Sequence, residues 1–206
     1  MAHSDEAEKY SAAAFATKHE DAIYFSKRVT RAVPDGGPIE AHTDLVKKLD
    51  YECELAVVLG RDARDVPAGQ TRDYIFGYTI LNDVSARDVQ TAHKQWYFGK
   101  SLDGFTPIGP CIVTADAFAD YPPRLGIRSF VNGEKRQDSN TALQIFDIDH
   151  VIAELSQGMT LKAGTIIATG TPAGVGMGMD PPQFLHPGDT VQCEIEGIGT
   201  LTNTVR

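Results

Sequence analysis

The 206-residue sequence predicts an α+β domain that is mainly β, with few short helices. Three observations carry this expectation. Short runs rich in Val, Ile and aromatic residues recur along the chain, each bounded by Gly, Pro, Asn or Asp. One run folds back on itself at Asn132-Gly133, the pair that suits a two-residue type I′ hairpin. Helix start signals stand out at two places, around Ser85 and at Asp147.

Taken in order, residues 1–22 are rich in Ala and charge without a strong apolar stripe, and read as an N-terminal helical or lid segment. Residues 23–206 read as one domain. Ala22-Ile23-Tyr24-Phe25 is a short apolar run expected to bury as a strand, followed by the basic Lys27, Arg28 and Arg31. Pro34-Asp35-Gly36-Gly37-Pro38 is a turn. Tyr51-Glu52-Cys53-Glu54-Leu55-Ala56-Val57-Val58-Leu59 is a strand. Its period of two puts Glu52, Glu54, Ala56 and Val58 on one face, which runs from acidic to apolar. Gly60-Arg61-Asp62 and the loop over 67–69 close that unit. A second buried strand over 74–81 ends at Asn82-Asp83.

Ser85, with Asp88 three residues on, has the form of a capping box and predicts a helix running towards Lys94. Asp83 then lies where strand becomes helix, with Arg87, Gln90 and Thr91 on one helix face. Trp96, Tyr97 and Phe98 predict a packed aromatic wall beside Lys100. Cys111-Ile112-Val113 is a short strand, and residues 127–131 and 134–137 flank the Asn132-Gly133 turn. Asp147 caps a helix bearing Val151, Ile152 and Leu155, which Gly158 ends. A strand over 165–169 opens into Gly170-Thr171-Pro172-Ala173-Gly174-Val175-Gly176-Met177-Gly178, read as a flexible loop. The last element is a hairpin, 190–196 with 200–205, joined at Gly197-Ile198-Gly199.

With 42% hydrophobic residues the chain can build one sizeable core. A formal net charge of −9 argues against nucleic acid or an anionic membrane surface as partner, since both select clustered Lys and Arg, and so points to a small molecule. Cys53, Cys111 and Cys193 fall in no paired or metal-ligand spacing, which predicts reduced thiols in a cytoplasmic protein, each a small buried hydrophobe. No apolar run has the length of a membrane span, and no signal-peptide pattern opens the chain.

Glu52 and Glu54 alone are also the pattern of a solvated strand face. Asp83 changes the weighing. Three carboxylates from two strand ends, with no His or Cys near them in sequence, make an all-oxygen set that selects a hard divalent ion, Mg²⁺ or Mn²⁺, over Zn²⁺. Lys100 or Arg87 would offset the surplus negative charge. The glycines of 170–178 do not make a dinucleotide loop, because Pro172 intrudes and Asp180-Pro181-Pro182 stands where a helix should begin. Their backbone N–H groups and the Thr171 hydroxyl could instead hold a carboxylate.

Five stretches in order now carry a resemblance: Asp50-Tyr51-Glu52-Cys53-Glu54-Leu55-Ala56-Val57-Val58-Leu59-Gly60, Asn82-Asp83-Val84-Ser85-Ala86-Arg87-Asp88, Gly99-Lys100-Ser101, the hairpin over 131–138, and Thr169-Gly170-Thr171-Pro172-Ala173-Gly174-Val175-Gly176. Together they resemble the fumarylacetoacetate hydrolase family, from about Ile23 to the C-terminus. The resemblance implies a mixed β-sandwich roll, a homodimer, and Mg²⁺ or Mn²⁺ held by Glu52, Glu54 and Asp83. It implies that Lys100 is catalytic and that Arg87, Gln90 and Thr171 face the substrate. The family's hydrolases carry a His-x-x-Glu pair in an N-terminal lid, matched here by His3 and Glu6. The Gly-x-Asn-Tyr strand that usually precedes the pair is missing, so either the lid is rebuilt or the true beginning lies upstream. The activity implied is metal-dependent hydrolysis of a carbon–carbon bond in a 2,4-dioxo acid such as an acylpyruvate, with Glu6 orienting His3 to activate water. Alternatives are an oxaloacetate-type decarboxylase or a 2-hydroxyhepta-2,4-diene-1,7-dioate isomerase using the same metal site, and a non-catalytic, metal-stabilised binding protein.

Overall fold

A strand alternating acid and aliphatic residues can be wet on one face, yet the central one here is buried on both. In the computed structural model, which describes residues 21–206, β3 spans Cys53–Leu59 and all seven of its residues are buried. The elements before and after it explain why. Ahead of it lie β1 (Pro38–Ile39) and β2 (Leu49–Asp50). After it come β4 (Ile75–Asn82), β5 (Ser85–Ala86), helices α1 (Arg87–Ala92) and α2 (Tyr97–Lys100), and β6 (Ile108–Thr114). The hairpin β7 (Gly126–Val131) and β8 (Glu134–Asn140), helix α3 (Ile148–Leu155), β9 (Ile166–Ala168), β10 (Thr190–Ile195) and β11 (Gly199–Val205) complete the chain.

These strands form a four-stranded sheet in the order β6-β4-β3-β9, a five-stranded sheet β1-β11-β10-β7-β8, and the short pair β2-β5. Only β1 with β11 is parallel among the named strand pairs, so the architecture is a mixed β-sandwich roll. Strands β7 and β10 pack on β3 and β4. Between them Leu55, Val57, Leu59, Tyr78, Ile80, Ile127, Val191, Ile195 and Leu201 make the core. Each such aliphatic side chain removed from water contributes about 1.5–3 kcal/mol, which fixes the register of β3 and with it the position of its carboxylates.

The Asn132-Gly133 turn forms as expected, with φ of +52° and +80° at the two positions, the left-handed pair of a type I′ turn. Asp147 caps α3 by accepting the His150 N–H at 2.8 Å. Five expectations need correction. Residues 22–25 join no strand, and Ile23, Tyr24 and Phe25 are exposed. Their side-chain anchors lead the chain across the site instead of along a sheet edge: the Tyr24 hydroxyl donates to Glu154 on α3, and Phe25 packs edge-on to Trp96. Ser85 does not cap a helix, because its backbone pairs with Asp50 and its hydroxyl donates to the Asp83 carbonyl at 2.8 Å. Helix α1 starts at Arg87 and ends at Ala92, short of Lys94.

Cys111 is exposed, while Cys53 and Cys193 are buried as expected. The glycine loop is tied down rather than flexible. A Cβ on Gly174, where φ is +106°, would stand 2.1 Å from the Arg136 carbonyl oxygen, and one on Gly176 would stand 1.9 Å from that of Gln183. Glycine is what allows this backbone to pack so closely. The segment 1–20, with His3 and Glu6, lies outside the described residues. No helix among the described residues is long and apolar enough to cross a membrane.

Candidate metal centre and catalytic site

The register of two antiparallel strands assembles the carboxylates. Cys53 pairs with Asn82 and Glu54 with Leu81, so Glu52, one residue ahead of β3, meets Asp83, one residue beyond β4. Two hydrogen bonds lock the join: the Asp83 N–H donates to the Glu52 carbonyl at 2.8 Å, and the Glu52 N–H to the Asn82 side-chain oxygen at 3.0 Å. One oxygen from each of Glu52, Glu54 and Asp83 lies within 4.8 Å of the others, and all three residues are buried. Glu54 follows Glu52 on the same strand face, as the period of two requires. The solvated-face alternative is therefore excluded by burial.

Three buried carboxylates at this spacing repel one another, so the balance of charge decides what the site holds. The Lys100 ammonium donates to Glu52 Oε2 at 2.7 Å and to Asp83 Oδ2 at 2.8 Å. Lys27 donates to Asp83 Oδ1 at 2.6 Å. Burial would raise the Asp83 carboxyl, but Lys100 and Lys27 outweigh it and hold the group down at about 2. Burial likewise opposes charge on Glu52, and Lys100 with Arg87 again prevails, lowering it. Glu54 differs. Burial, with the charges of Asp83 and Glu52 beside it, pushes its carboxyl up to about 8, and the donor it receives is the Gly170 N–H at 2.8 Å. No Lys or Arg among the described residues forms an ion pair with it. A cation shared by the three oxygens would supply the opposite charge that favours the ionised form of Glu54, so the donor set fits a hard divalent ion.

Arg87 stands behind the carboxylates. From the first turn of α1 its Nε donates to Asp50 Oδ2 at 2.9 Å, while Nη1 donates to Glu52 Oε1 at 2.6 Å and to Gln90 Oε1 at 3.2 Å. Asp50 also accepts the N–H groups of Tyr51, Gly176 and Met177. The loop over 170–178 does hold carboxylates, then, and they are the protein's own Asp50 and Glu54. Thr171 uses its hydroxyl to donate to the Cys53 carbonyl at 2.9 Å and to accept from Gln137 Nε2 at 2.7 Å. Gln137 reaches Pro172 as well and accepts the Cys53 N–H, stitching the loop to β3. Phe25 covers Lys100, the ammonium lying 5.5 Å from its ring centre.

The structure thus brings together Glu52, Glu54, Asp83, Lys100, Arg87, Gln90 and Thr171. Sequence reasoning passed over Asp50, Asn82, Gln137, Phe25 and Lys27. Lys27 carried one available signal: a basic residue just after an apolar run, in a chain whose candidate site has surplus negative charge.

The model of the family described as fumarylacetoacetate (FAA) hydrolase C-terminal matches residues 1–206. A solved structure of fumarylacetoacetate hydrolase from the psychrophile Exiguobacterium antarcticum superposes with a TM-score of 0.90 at 45% identity, covering 100% of this chain and 72% of that one. A 2-hydroxyhepta-2,4-diene-1,7-dioate isomerase from Mycobacterium marinum gives a TM-score of 0.74 at 44% identity, covering 84% and 64%. The oxaloacetate tautomerase YisK of Bacillus subtilis is 45% identical over 186 residues, 90% of this chain and 62% of that protein. The chain thus spans 62% of the length of this curated relative.

Proposed function

The chain belongs to the fumarylacetoacetate hydrolase family, and from that premise we propose that it is a divalent-metal-dependent enzyme stabilising the enolate of a 2-oxo acid, with keto–enol interconversion of an oxaloacetate-like acid as its net reaction. The observation that supports this most is the Lys100 ammonium, which is buried and anchored on two of the three carboxylates. An ammonium has three N–H donors. Two of them are taken by Glu52 and Asp83, which leaves one for a substrate oxygen.

When bound, Mg²⁺ or Mn²⁺ would supply Lewis-acid polarisation of the α-keto acid end of the substrate at Glu52, Glu54 and Asp83. Transfer of a proton from C3 of the acid to a water molecule sends the C–H electron pair into a C2–C3 double bond and charge onto the C2 oxygen, which takes up a proton from solvent to complete the enol. Lys100 meets that charge as it develops, which is where stabilisation accelerates a reaction. Arg87 keeps Glu52 oriented, and Phe25 with Trp96 keeps water from the ammonium. The tautomerase activity in the name of the Bacillus relative and the isomerase activity in that of the mycobacterial one belong to the same enolate chemistry.

A second reading is hydrolysis of a 2,4-dioxo acid, favoured by the His3-Ser4-Asp5-Glu6 pattern and by the match of the whole of this chain to 72% of the Exiguobacterium hydrolase. It uses the same enolate and needs a group that activates water in addition. A homodimer is part of both readings. Following enol absorbance of oxaloacetate, acylpyruvates and hydroxydienoates with Mn²⁺ and with EDTA tests the proposal. Metal-dependent acceleration of oxaloacetate ketonisation is expected. Acylpyruvate cleavage that disappears in His3→Ala while ketonisation persists would assign hydrolysis to the N-terminal pair. An enol decay that Mn²⁺ leaves at the uncatalysed rate for every substrate refutes the enzyme reading.

A further inference from the structure

Glu52 and Glu54 are steadied from behind by two different parts of the chain, and both lead to one residue. Glu52 Oε1 is held by Arg87 Nη1, and Glu54 Oε2 by the Gly170 N–H of the glycine loop. Arg87 is in turn fixed by Asp50 Oδ2 through Nε at 2.9 Å. The glycine loop is fixed by the same carboxylate, since the Gly176 N–H donates to Oδ1 at 2.8 Å and the Met177 N–H to Oδ2 at 2.9 Å. With the Tyr51 N–H, Asp50 collects four donors and is fully buried. Space around it is closed as well: a Cβ on Gly176 would stand 2.8 Å from Oδ1.

We propose that Asp50 is a positioning residue for the metal centre, setting the aim of Glu52 through Arg87 and that of Glu54 through the loop over 170–178. The proposal rests on Glu52, Glu54 and Asp83 being the cation ligands. Asp50 itself touches neither ion nor substrate. Its effect is electrostatic as well as geometric. Arg87 divides its guanidinium between two carboxylates, Nε on Asp50 and Nη1 on Glu52. If Asp50 loses its charge, Arg87 is drawn onto Glu52, where it competes with a cation for the same oxygens. An arginine fork spanning two carboxylates has a fixed geometry that lysine does not reproduce.

A carboxamide cannot replace Asp50. Whichever way Asn is turned, its NH₂ faces two donors, either Tyr51 and Gly176 or Met177 and Arg87. Outer partners of metal ligands typically change metal affinity by about ten- to a hundredfold.

The experiment is a Mn²⁺ titration of the purified full chain, read by electron paramagnetic resonance of free Mn²⁺ and by calorimetry, with no substrate present. Wild type, Asp50→Asn, Arg87→Lys and Asp149→Asn are compared. Asp149 is the control, because its carboxylate also holds a backbone N–H, that of Gly69, and a Thr71 hydroxyl, yet shares no partner with the centre. The expected result is a Mn²⁺ Kd about ten- to a hundredfold weaker in Asp50→Asn, a similar loss in Arg87→Lys, and no change in Asp149→Asn even where its melting temperature falls. Wild-type Kd in both Asp50→Asn and Arg87→Lys overturns the role of Asp50. So does an equal loss in Asp149→Asn, which would mark general destabilisation. If Asp50→Asn fails to fold, Asp50→Glu, which keeps the charge but displaces both oxygens, is titrated in its place, with the same loss expected and a wild-type Kd overturning the role of Asp50. A wild-type protein that binds no Mn²⁺ overturns the ligand assignment itself, a result distinct from any difference among the variants.

Discussion

Replacing Lys100 by Met tests the charge arrangement of the centre most directly. The side chains are of similar length, so packing beneath Phe25 is roughly kept, while the ammonium and its bonds to Glu52 and Asp83 are lost. Both carboxylates are buried and would be left with less compensation, Asp83 keeping Lys27 and Glu52 keeping Arg87. Removing one partner of a buried ion pair costs about 3–5 kcal/mol, because the charge left behind has lost its water as well as its partner. For a chain of about this size each kcal/mol moves the melting temperature by about 2–4 °C, so the EDTA-treated variant should melt roughly 6–20 °C below wild type. Saturating Mn²⁺ should then recover part of the loss, since an ion at Glu52, Glu54 and Asp83 supplies the missing positive charge. Scanning calorimetry of both proteins, with EDTA and with Mn²⁺, gives all four midpoints. Equal midpoints in EDTA would refute the claim that Lys100 neutralises the site. A deficit that Mn²⁺ leaves untouched would refute the view that ion and ammonium act on the same charges.

Three further outcomes follow from particular contacts. Tyr78 is buried against Phe118, and burial pushes its hydroxyl up to about 12 from an ordinary 10. A raised folded value means that stability is intact below pH 10 and lost as pH rises from 10 to 12, by about 2–3 kcal/mol from this group, so Tyr78→Phe should flatten the urea-stability curve over that interval. Gln137→Leu leaves the Cys53 N–H and the Pro172 carbonyl without their partner and loosens Thr171, and should cost about 2–4 kcal/mol in urea unfolding. Gly133→Ala meets no atom within 4 Å but must adopt φ of +80°, so about 1–2 kcal/mol of destabilisation is expected, with metal affinity unchanged.

What was legible in the sequence was whatever local pattern dictates. The Asn132-Gly133 turn, the Asp147 cap and the strand with two acids each depend on residues adjacent in the chain, and each formed. The three carboxylates could be named because strand ends expose side chains in a known direction. Partners set by long-range packing were not legible. Nothing near Asp50 announces Met177, and nothing near Lys27 announces Asp83, 56 residues away. Ser85 shows the converse failure: its local signal was that of a helix cap, but a bridge to Asp50 outcompeted it. The run at 22–25 has strand composition, yet its ring and hydroxyl contacts with Trp96 and Glu154 hold it away from any sheet.

The two lysines on Asp83 set what a bound ion would add to the centre. Zinc fingers and similar sites collapse when stripped, because the metal alone holds their ligands together. Here Lys100 already bridges Asp83 and Glu52 through protein atoms, and Lys27, from the other side of the sequence, adds a second cation to Asp83. Only Glu54 waits for outside charge. On the proposed function, chelation should therefore stop turnover without dismantling the fold, and resupply should restore it with no refolding step between.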